Sequence, residues 1–203
     1  MILSDHEIQA AMELGLLLIE PRPEPSRFSS TALDLTLDGV ILCWNDPPPV
    51  PREPSHKLRP SAQEFDLKVI MDDPMTTTKV PIGSQGFDLE PRMFVLGFSQ
   101  QRIYLPNRSR LAARVEGKSS LARLGVGIHV TAPTIHAGFG YNPKDPHNPG
   151  LPIQLEIFNI GNRIIVLDVG MPICQLIFEE VREVPLKGYQ GRFSDQQSFE
   201  SSP

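Results

Sequence analysis

The chain has 203 residues, 40% of them hydrophobic, which is enough to build one packed core. Its 19 Lys and Arg against 24 Asp and Glu give a net charge of −5, which argues against binding nucleic acid by bulk electrostatic attraction. The two cysteines, Cys43 and Cys174, provide neither a disulfide framework nor a paired-cysteine metal site. The sequence shows no signal-peptide pattern and no apolar stretch of membrane-spanning length, so we expect a soluble cytoplasmic protein.

The first predicted element is a helix. Ser4 and Glu7 have the spacing of a capping box, and Ile8, Met12 and Leu16 follow at intervals of four. This pattern predicts a helix that ends near Gly15.

The rest of the chain is predicted to form short strands. It contains 21 prolines, about twice the usual ~5%, and proline interrupts both helices and central strands. Alternating apolar and polar residues predict a strand at 32–37, and six prolines predict an extended loop at 46–60. Further strands are predicted at 65–71, 93–99, 103–105, 112–115, 127–130, 153–158, 164–167 and 173–178.

This distribution favours an all-β sandwich, jelly roll or partly closed barrel over alternating βαβ units. Residues 139–152 are predicted to be an inserted loop. The polar, serine-rich tail at 188–203 has little to bury, so we expect it to be flexible or to become ordered around a ligand or a neighbouring subunit. A single domain over 1–203 is the simplest organisation.

Residues 116–125 carry the clearest chemical pattern. Gly117 permits a turn, Ser119 or Ser120 can cap a short helix, and Gly125 can end it. Free backbone N–H groups, two hydroxyls and the Lys118 ammonium are suited to bind phosphate oxygens. The same pattern is also typical of a short capped helix whose charges are solvated. The first glycine of a P-loop is missing, which excludes that motif. Arg123 follows Ser119 by four residues, which predicts that both point to one side of the helix.

The run Gly-Lys-Ser-Ser-Leu-Ala-Arg-Leu-Gly at 117–125 resembles the signature of the dCTP deaminase family, within the trimeric dUTPase superfamily. Segments 2–5, 31–35, 129–132, 154–159 and 170–176 also match in the expected order, and the match is weaker at 45–92 and 139–152. The resemblance implies a mainly β subunit, a distorted barrel or jelly roll with a short N-terminal helix and one short internal helix. It also implies a homotrimer with active sites between subunits, and hydrolysis of dCTP to dUTP and ammonia. The nucleotide is the expected partner, without nucleic acid polymer or membrane.

The same resemblance implies a metal-independent mechanism with Mg²⁺ bound only through the substrate triphosphate. Zinc nucleobase deaminases hold their metal with His-x-Glu and Pro-Cys-x-x-Cys, and neither pattern occurs in the sequence. A carboxylate must then accept the proton of the attacking water, and Glu156 is the matching residue. From the residues alone, a carboxylate in the middle of a strand more often faces solvent on the polar side of the sheet, and the family match reverses this prediction for Glu156.

The other site residues follow from the match position by position. Ser119 would hydrogen-bond the water or the exocyclic amine, and Arg123 would lie near Glu156 and lower the pKa of its carboxyl, against the effect of burial. Lys118 and Ser120 would contact phosphates, and Ala132 and Gln154 would contact the base and sugar. In the tail, Arg192 and Gln196 are the expected triphosphate contacts, together with Tyr189.

Three positions depart from the family pattern. His136 replaces an aspartate that contacts the sugar 3′-hydroxyl, Thr134 replaces a frequent arginine and Pro133 a histidine. A neutral imidazole can still donate to or accept from a hydroxyl. The loss of the aspartate weakens a dUTPase-type prediction, and the three departures leave standard deamination, deamination with altered sugar or phosphate preference, and a fold without turnover. A dUTPase-type pyrophosphatase, a bifunctional deaminase and pyrophosphatase, and a nucleotide-binding trimer without turnover remain as alternatives. His129 is expected to be a core histidine and Cys174 a small buried hydrophobic residue.

Overall fold

Two antiparallel β-sheets share one apolar core in the computed structural model of the chain, which describes residues 1–46, 58–128, 131–141, 150–186 and Phe199. The larger sheet has the order β5-β4-β7-β11-β9, with β1 also paired to β7. These strands are β1 (Leu18–Glu20), β4 (Val40–Trp44), β5 (Thr77–Pro81), β7 (Phe94–Tyr104), β9 (Val126–Ile128) and β11 (Leu151–Asn159).

The second sheet has the order β10-β8-β13-β3-β2. Its strands are β2 (Phe28–Ser29), β3 (Ala32–Thr36), β8 (Leu111–Gly117), β10 (Thr134–Ile135) and β13 (Pro172–Glu180). A separate pair joins β6 (Phe87–Leu89) to β12 (Ile165–Leu167), and the helices are α1 (Asp5–Glu13), α2 (Leu67–Asp72) and α3 (Ser119–Ala122). The predicted mainly β class is confirmed.

Alternation of side chains builds the core from both sheets. In β11, Leu155 and Ile157 are buried while Gln154, Glu156 and Phe158 are only partly buried. β8 and β13 show the same period of two. Each sheet therefore presents one apolar face to the shared core.

The predicted N-terminal helix is confirmed as α1. Ser4 Oγ accepts a hydrogen bond from the Glu7 N–H at 3.3 Å, and the Ser4 N–H donates to Glu7 Oε2 at 2.8 Å. This reciprocal pair satisfies backbone groups that the first turn leaves without helical partners. Ile8 and Ala11 face the core, and Gly15 follows the helix with a φ of +65°.

Several sequence predictions need correction. The strand predicted at 65–71 is wrong, because Asp66 accepts a hydrogen bond from the Lys68 N–H at 2.9 Å and caps α2, a second internal helix. The strands predicted at 93–99 and 103–105 are parts of one 11-residue strand, β7. The sequence did not predict the strands β1, β2, β4, β5, β6 and β10.

Three of the predicted segments fall largely outside the described residues. These are 47–57 of the proline-rich loop, 142–149 of the inserted loop, and the tail at 188–203 apart from Phe199. Across the ranges that the structure describes, no helix combines the length and the apolar character needed to cross a membrane. The single-domain organisation stays a prediction.

Gly125 links α3 to β9 in a conformation that requires glycine. Its φ is +92°, and an added Cβ would lie 2.4 Å from the Gly161 backbone nitrogen. The Gly125 carbonyl also accepts a hydrogen bond from the Ile160 N–H at 2.9 Å. Gly125 therefore fixes the end of the short helix against the turn that follows β11.

We expect Gly125→Ala to lower the free energy of unfolding by at least about 2 kcal/mol, because a left-handed conformation and a backbone clash add. Urea denaturation measures the change. Gly83→Ala is the matched control, since an added Cβ there meets no atom within 4 Å. Equal stabilities of the two variants would contradict this account of the turn.

Candidate active site

A cavity of about 390 Å³ lies beside β11 and contains the predicted base. One wall comes from the larger sheet and α2, and the other comes from the segment at 132–139. The lining residues are Trp44, Leu67, Met71, Phe94, Leu96, Ala132, Thr134, Ile135, His136, Phe139, Ile153, Gln154 and Glu156.

The register of β11 against β7 determines which side chains reach this cavity. Gln154 is paired with Phe98 and Glu156 with Leu96, so both polar side chains project from the same face of the sheet. Glu156 Oε2 is shielded from solvent. The alternative of a carboxylate that simply faces bulk water therefore does not describe Glu156.

A second cavity, of about 660 Å³, lies at the end of β8 and around α3. Lys118, Ser119 and Ser120 line it, together with Glu116, Gln175 and residues of β8 and β9. The predicted serine cap of α3 is wrong, because Lys118 occupies the cap position with an extended backbone. The β8 ladder continues through Gly117, which pairs with Cys174, and this holds the chain extended up to Lys118.

Lys118 is held by Asp34 of β3. The Nζ and Oδ1 atoms are 2.5 Å apart, and the two side chains are 22% and 20% exposed. The ion pair therefore keeps the ammonium at the edge of the second cavity and leaves it partly open to solvent.

Cys174 lies beneath this ion pair, fully buried. Burial, helped by the negative charge of Asp34, raises the pKa of its thiol to about 12, and the positive charge of Lys118 opposes this rise. The expectation that Cys174 packs as a small buried hydrophobic residue agrees with this position.

The structure divides the predicted site residues between the two cavities. Glu156, Gln154, Ala132 and His136 line the first, and Lys118, Ser119 and Ser120 line the second. Arg123 is exposed at the end of α3 and belongs to the lining of neither. Tyr189, Arg192, Gln196 and His129 lie outside the described residues.

Phe199 places one point of the tail beside the first cavity. Its ring packs edge-on against Phe98, with centroids 4.7 Å apart and an interplanar angle of 66°. Phe98 is the ladder partner of Gln154, so this contact lies next to a residue that lines the cavity.

Sequence reasoning missed the apolar wall of the first cavity. Trp44 and Phe94 come from adjacent strands, and Met71 comes from α2, whose segment was predicted as a strand. The spacing of Leu67 and Met71, four residues apart, was the available signal, since it places both on one face of a helix. In the described part of the chain, no three His, Cys, Asp or Glu side chains are grouped in a way that could hold a metal ion.

The chain is similar to a known protein family and to several known proteins along most of its length. Residues 2–181 match the model of the dCTP deaminase-like family. The dUMP-forming dCTP deaminase of Persephonella marina is 31% identical over 202 residues, covering 100% of this chain and 96% of that protein. The dUMP-forming enzyme of Coprothermobacter proteolyticus is 33% identical over 205 residues, covering 100% and 95%. The dCTP deaminase of Rhodospirillum rubrum is 33% identical over 193 residues, covering 93% and 87%.

A solved structure shows the same fold. The 2′-deoxycytidine 5′-triphosphate deaminase of Agrobacterium tumefaciens superposes with a TM-score of 0.60 at 21% identity, covering 87% of this chain. The matched region covers about half, 47%, of the length of the A. tumefaciens protein. The two proteins therefore share the arrangement of their strands as well as the mainly β class.

The burial of Cys174 can be tested by labelling its thiol. At pH 8 a thiol with a pKa of about 12 has roughly 10³-fold less thiolate than an ordinary cysteine, so Cys174 should not react with a disulfide reagent in the native protein. In Cys43→Ser, labelling should begin only when urea unfolds the chain. Cys174→Ser is the control, in which the half-buried Cys43 remains to react. Rapid native labelling of Cys43→Ser would contradict the burial of Cys174.

Proposed function

The chain belongs to the dCTP deaminase-like family, and from this premise we propose that it hydrolyses dCTP to dUTP and ammonia with Glu156 as the general base. The observation that carries the proposal is the position of Glu156. Its carboxylate has one oxygen shielded from solvent and lines a cavity with Gln154, Ala132 and His136. We expect the reaction to take place in the cytoplasm.

The proposed chemistry is a direct attack of water on the pyrimidine ring. Glu156 accepts a proton from the water as its oxygen bonds to C4 of cytosine. The carboxyl group delivers this proton to N3 of the ring, which gives a tetrahedral intermediate with a hydroxyl and an amino group on C4. Glu156 then accepts the hydroxyl proton and passes it to the exocyclic nitrogen, the C4–N bond breaks, and ammonia leaves as the C4 carbonyl forms. A shielded carboxylate suits both steps, because restricted access of bulk water keeps the proton between the reacting groups.

The polar residues around Glu156 would orient the nucleoside. Gln154 and the backbone of Ala132 are available to the base and sugar, and the exposed His136 imidazole can donate to or accept from a sugar hydroxyl. His136 would thus replace the aspartate expected from the family pattern.

The division of residues between two cavities supports active sites that are shared between subunits of the proposed homotrimer. Glu156 and Ser119 line different cavities of one protomer, whereas the proposed chemistry needs both at one ring. In the proposed assembly, the Glu156 cavity of one protomer is completed by Ser119 of the partner subunit and Arg123 of the partner subunit. The exposure of Ser119 and Arg123 leaves both side chains accessible for that role.

The second cavity has the donors that phosphate groups need. The Lys118 ammonium and the hydroxyls of Ser119 and Ser120 can donate hydrogen bonds to anionic oxygens. The described residues offer no group of three His, Cys, Asp or Glu ligands for a metal ion, so Mg²⁺ would enter with the triphosphate, bound to its oxygens and to water. Tyr189, Arg192 and Gln196 remain the proposed tail contacts, and the packing of Phe199 on Phe98 supports a tail near the base cavity.

A second candidate has specific support. Two of the relatives described above, those of P. marina and C. proteolyticus, are named dUMP-forming dCTP deaminases. The same chain would then also release pyrophosphate from the deaminated nucleotide. This bifunctional reaction is distinguished from simple deamination by its products.

We expect Glu156→Gln to lower kcat for ammonia release by about 10²- to 10⁴-fold, because it removes the proton acceptor and almost preserves side-chain volume. The dissociation constant for dCTP, measured by calorimetry in the presence of Mg²⁺, should change only a few-fold. Glu179→Gln is the matched control, since Glu179 is a surface strand residue paired with Arg114. Unchanged turnover in Glu156→Gln would refute the assignment of the base.

The products formed from dCTP and Mg²⁺ test the reaction itself. We expect one ammonia and one dUTP for each dCTP consumed, without pyrophosphate, by chromatography and a pyrophosphate assay. Equal amounts of ammonia, dUMP and pyrophosphate would instead establish the bifunctional reaction. Tight triphosphate binding by an intact trimer, without either product, would identify a nucleotide-binding protein and overturn the deaminase proposal.

A further inference from the structure

A buried serine supports the irregular start of β11. Pro152 pairs with Arg102 and Gln154 pairs with Phe98, so the single residue Ile153 lies opposite three residues of β7, 99–101. Such an irregularity leaves backbone groups without their usual partners in the ladder. Ile153 is itself part of the lining of the Glu156 cavity.

The Ser99 hydroxyl forms hydrogen bonds with two backbone groups at this irregularity. Ser99 Oγ accepts a hydrogen bond from the Ile153 N–H at 2.9 Å and donates one to the Gln101 carbonyl at 2.7 Å. The residue is completely buried, so water cannot replace either bond. One side chain therefore satisfies a backbone donor on β11 and a backbone acceptor on β7.

A second set of contacts makes this support rigid. The Gln101 side chain accepts from the Thr36 N–H at 2.9 Å and donates to Thr36 Oγ1 at 2.8 Å, which ties the same part of β7 to β3 in the other sheet. Both residues are buried. The segment that carries Ser99 is thus fixed from both sheets.

We propose that Ser99 is a positioning residue for the active site, one that holds β11 in the register in which Gln154 and Glu156 reach the cavity. A shift of one residue would turn both side chains to the other face of the strand. Ser99 adjoins Phe98, the ladder partner of Gln154, where regular pairing of β7 with β11 resumes. Glu156 is the next residue after Gln154 on the same face of β11. The inference rests on the proposed role of Glu156 and adds the residue that places it.

The first experiment compares three variants in the dCTP assay. Ser99→Ala should lower kcat by about 10²-fold, the cost of a displacement near 1 Å, with a much smaller change in KM because the phosphate donors line another cavity. Ser99→Thr keeps the hydroxyl and should retain kcat within a few-fold. Ser109→Ala, which removes a serine bond to the Pro106 carbonyl outside both cavities, is the control and should leave kcat unchanged.

A double-mutant cycle separates positioning from general loss of structure. If Ser99 acts through Glu156, Ser99→Ala should cause almost no further loss of kcat in the Glu156→Gln background. Equal losses in both backgrounds, or wild-type kcat in Ser99→Ala, would overturn the inference. Should the alanine variant fail to fold, Ser99→Cys, with a thiol that hydrogen-bonds weakly, takes its place in the cycle.

Amide hydrogen exchange tests the inference without relying on turnover. The Ile153 amide should exchange at least several-fold faster in Ser99→Ala than in Ser109→Ala, and unchanged protection would contradict the proposed support. Absence of ammonia release in the wild type would refute the proposed function, whereas normal wild-type turnover with unchanged kcat in Ser99→Ala would refute only the role of Ser99.

Discussion

The pairing of β11 with β7 is the constraint on which the candidate site depends. A strand sends successive side chains to opposite faces, so the register that buries Leu155 and Ile157 also projects Gln154 and Glu156 toward the cavity. The apolar core and the polar site are therefore set by the same choice of register. The core supplies the free energy that keeps a carboxylate in a partly shielded place.

Close packing on the cavity face of β11 depends on a missing side chain. Phe158 follows Glu156 on the same face and pairs with Gly127 of β9, where an added Cβ would lie 2.2 Å from the Phe158 ring. The ring thus occupies the space that any other residue at 127 would fill. This contact secures β11 beyond Glu156, as Ser99 secures it before Gln154.

The sequence was most informative where a structure is determined by nearby residues. The capping box of Ser4 and Glu7 and the glycine that ends α3 are both recognised from residues within a few positions, and the structure contains each of them. The family was identified from the run at 117–125, and the match over residues 2–181 confirms it.

The missed features depend on contacts between distant parts of the chain. The bond from Ile153 to Ser99 spans 54 positions, and Lys118 is paired with Asp34 across 84. Alternation alone does not reveal that one residue of β11 faces three of β7. The replacement of a serine cap by Lys118 has the same origin, because the ladder between β8 and β13 decides where the extended backbone ends.

Electrostatics gives a reason for separating the two cavities within one chain. A carboxylate 4 Å from a phosphate charge would be repelled by about 4 kcal/mol at an effective dielectric constant of ~20. Glu156 lies in the cavity without the phosphate donors. The carboxylates near the other cavity, Asp34 and Glu116, are each paired with a cation, Lys118 and Arg114 respectively. A nucleoside triphosphate has the complementary arrangement, a neutral ring at one end and the anionic groups at the other. In the proposed homotrimer the substrate spans two protomers, so the proton acceptor remains far from the phosphates while both ends of the substrate are bound.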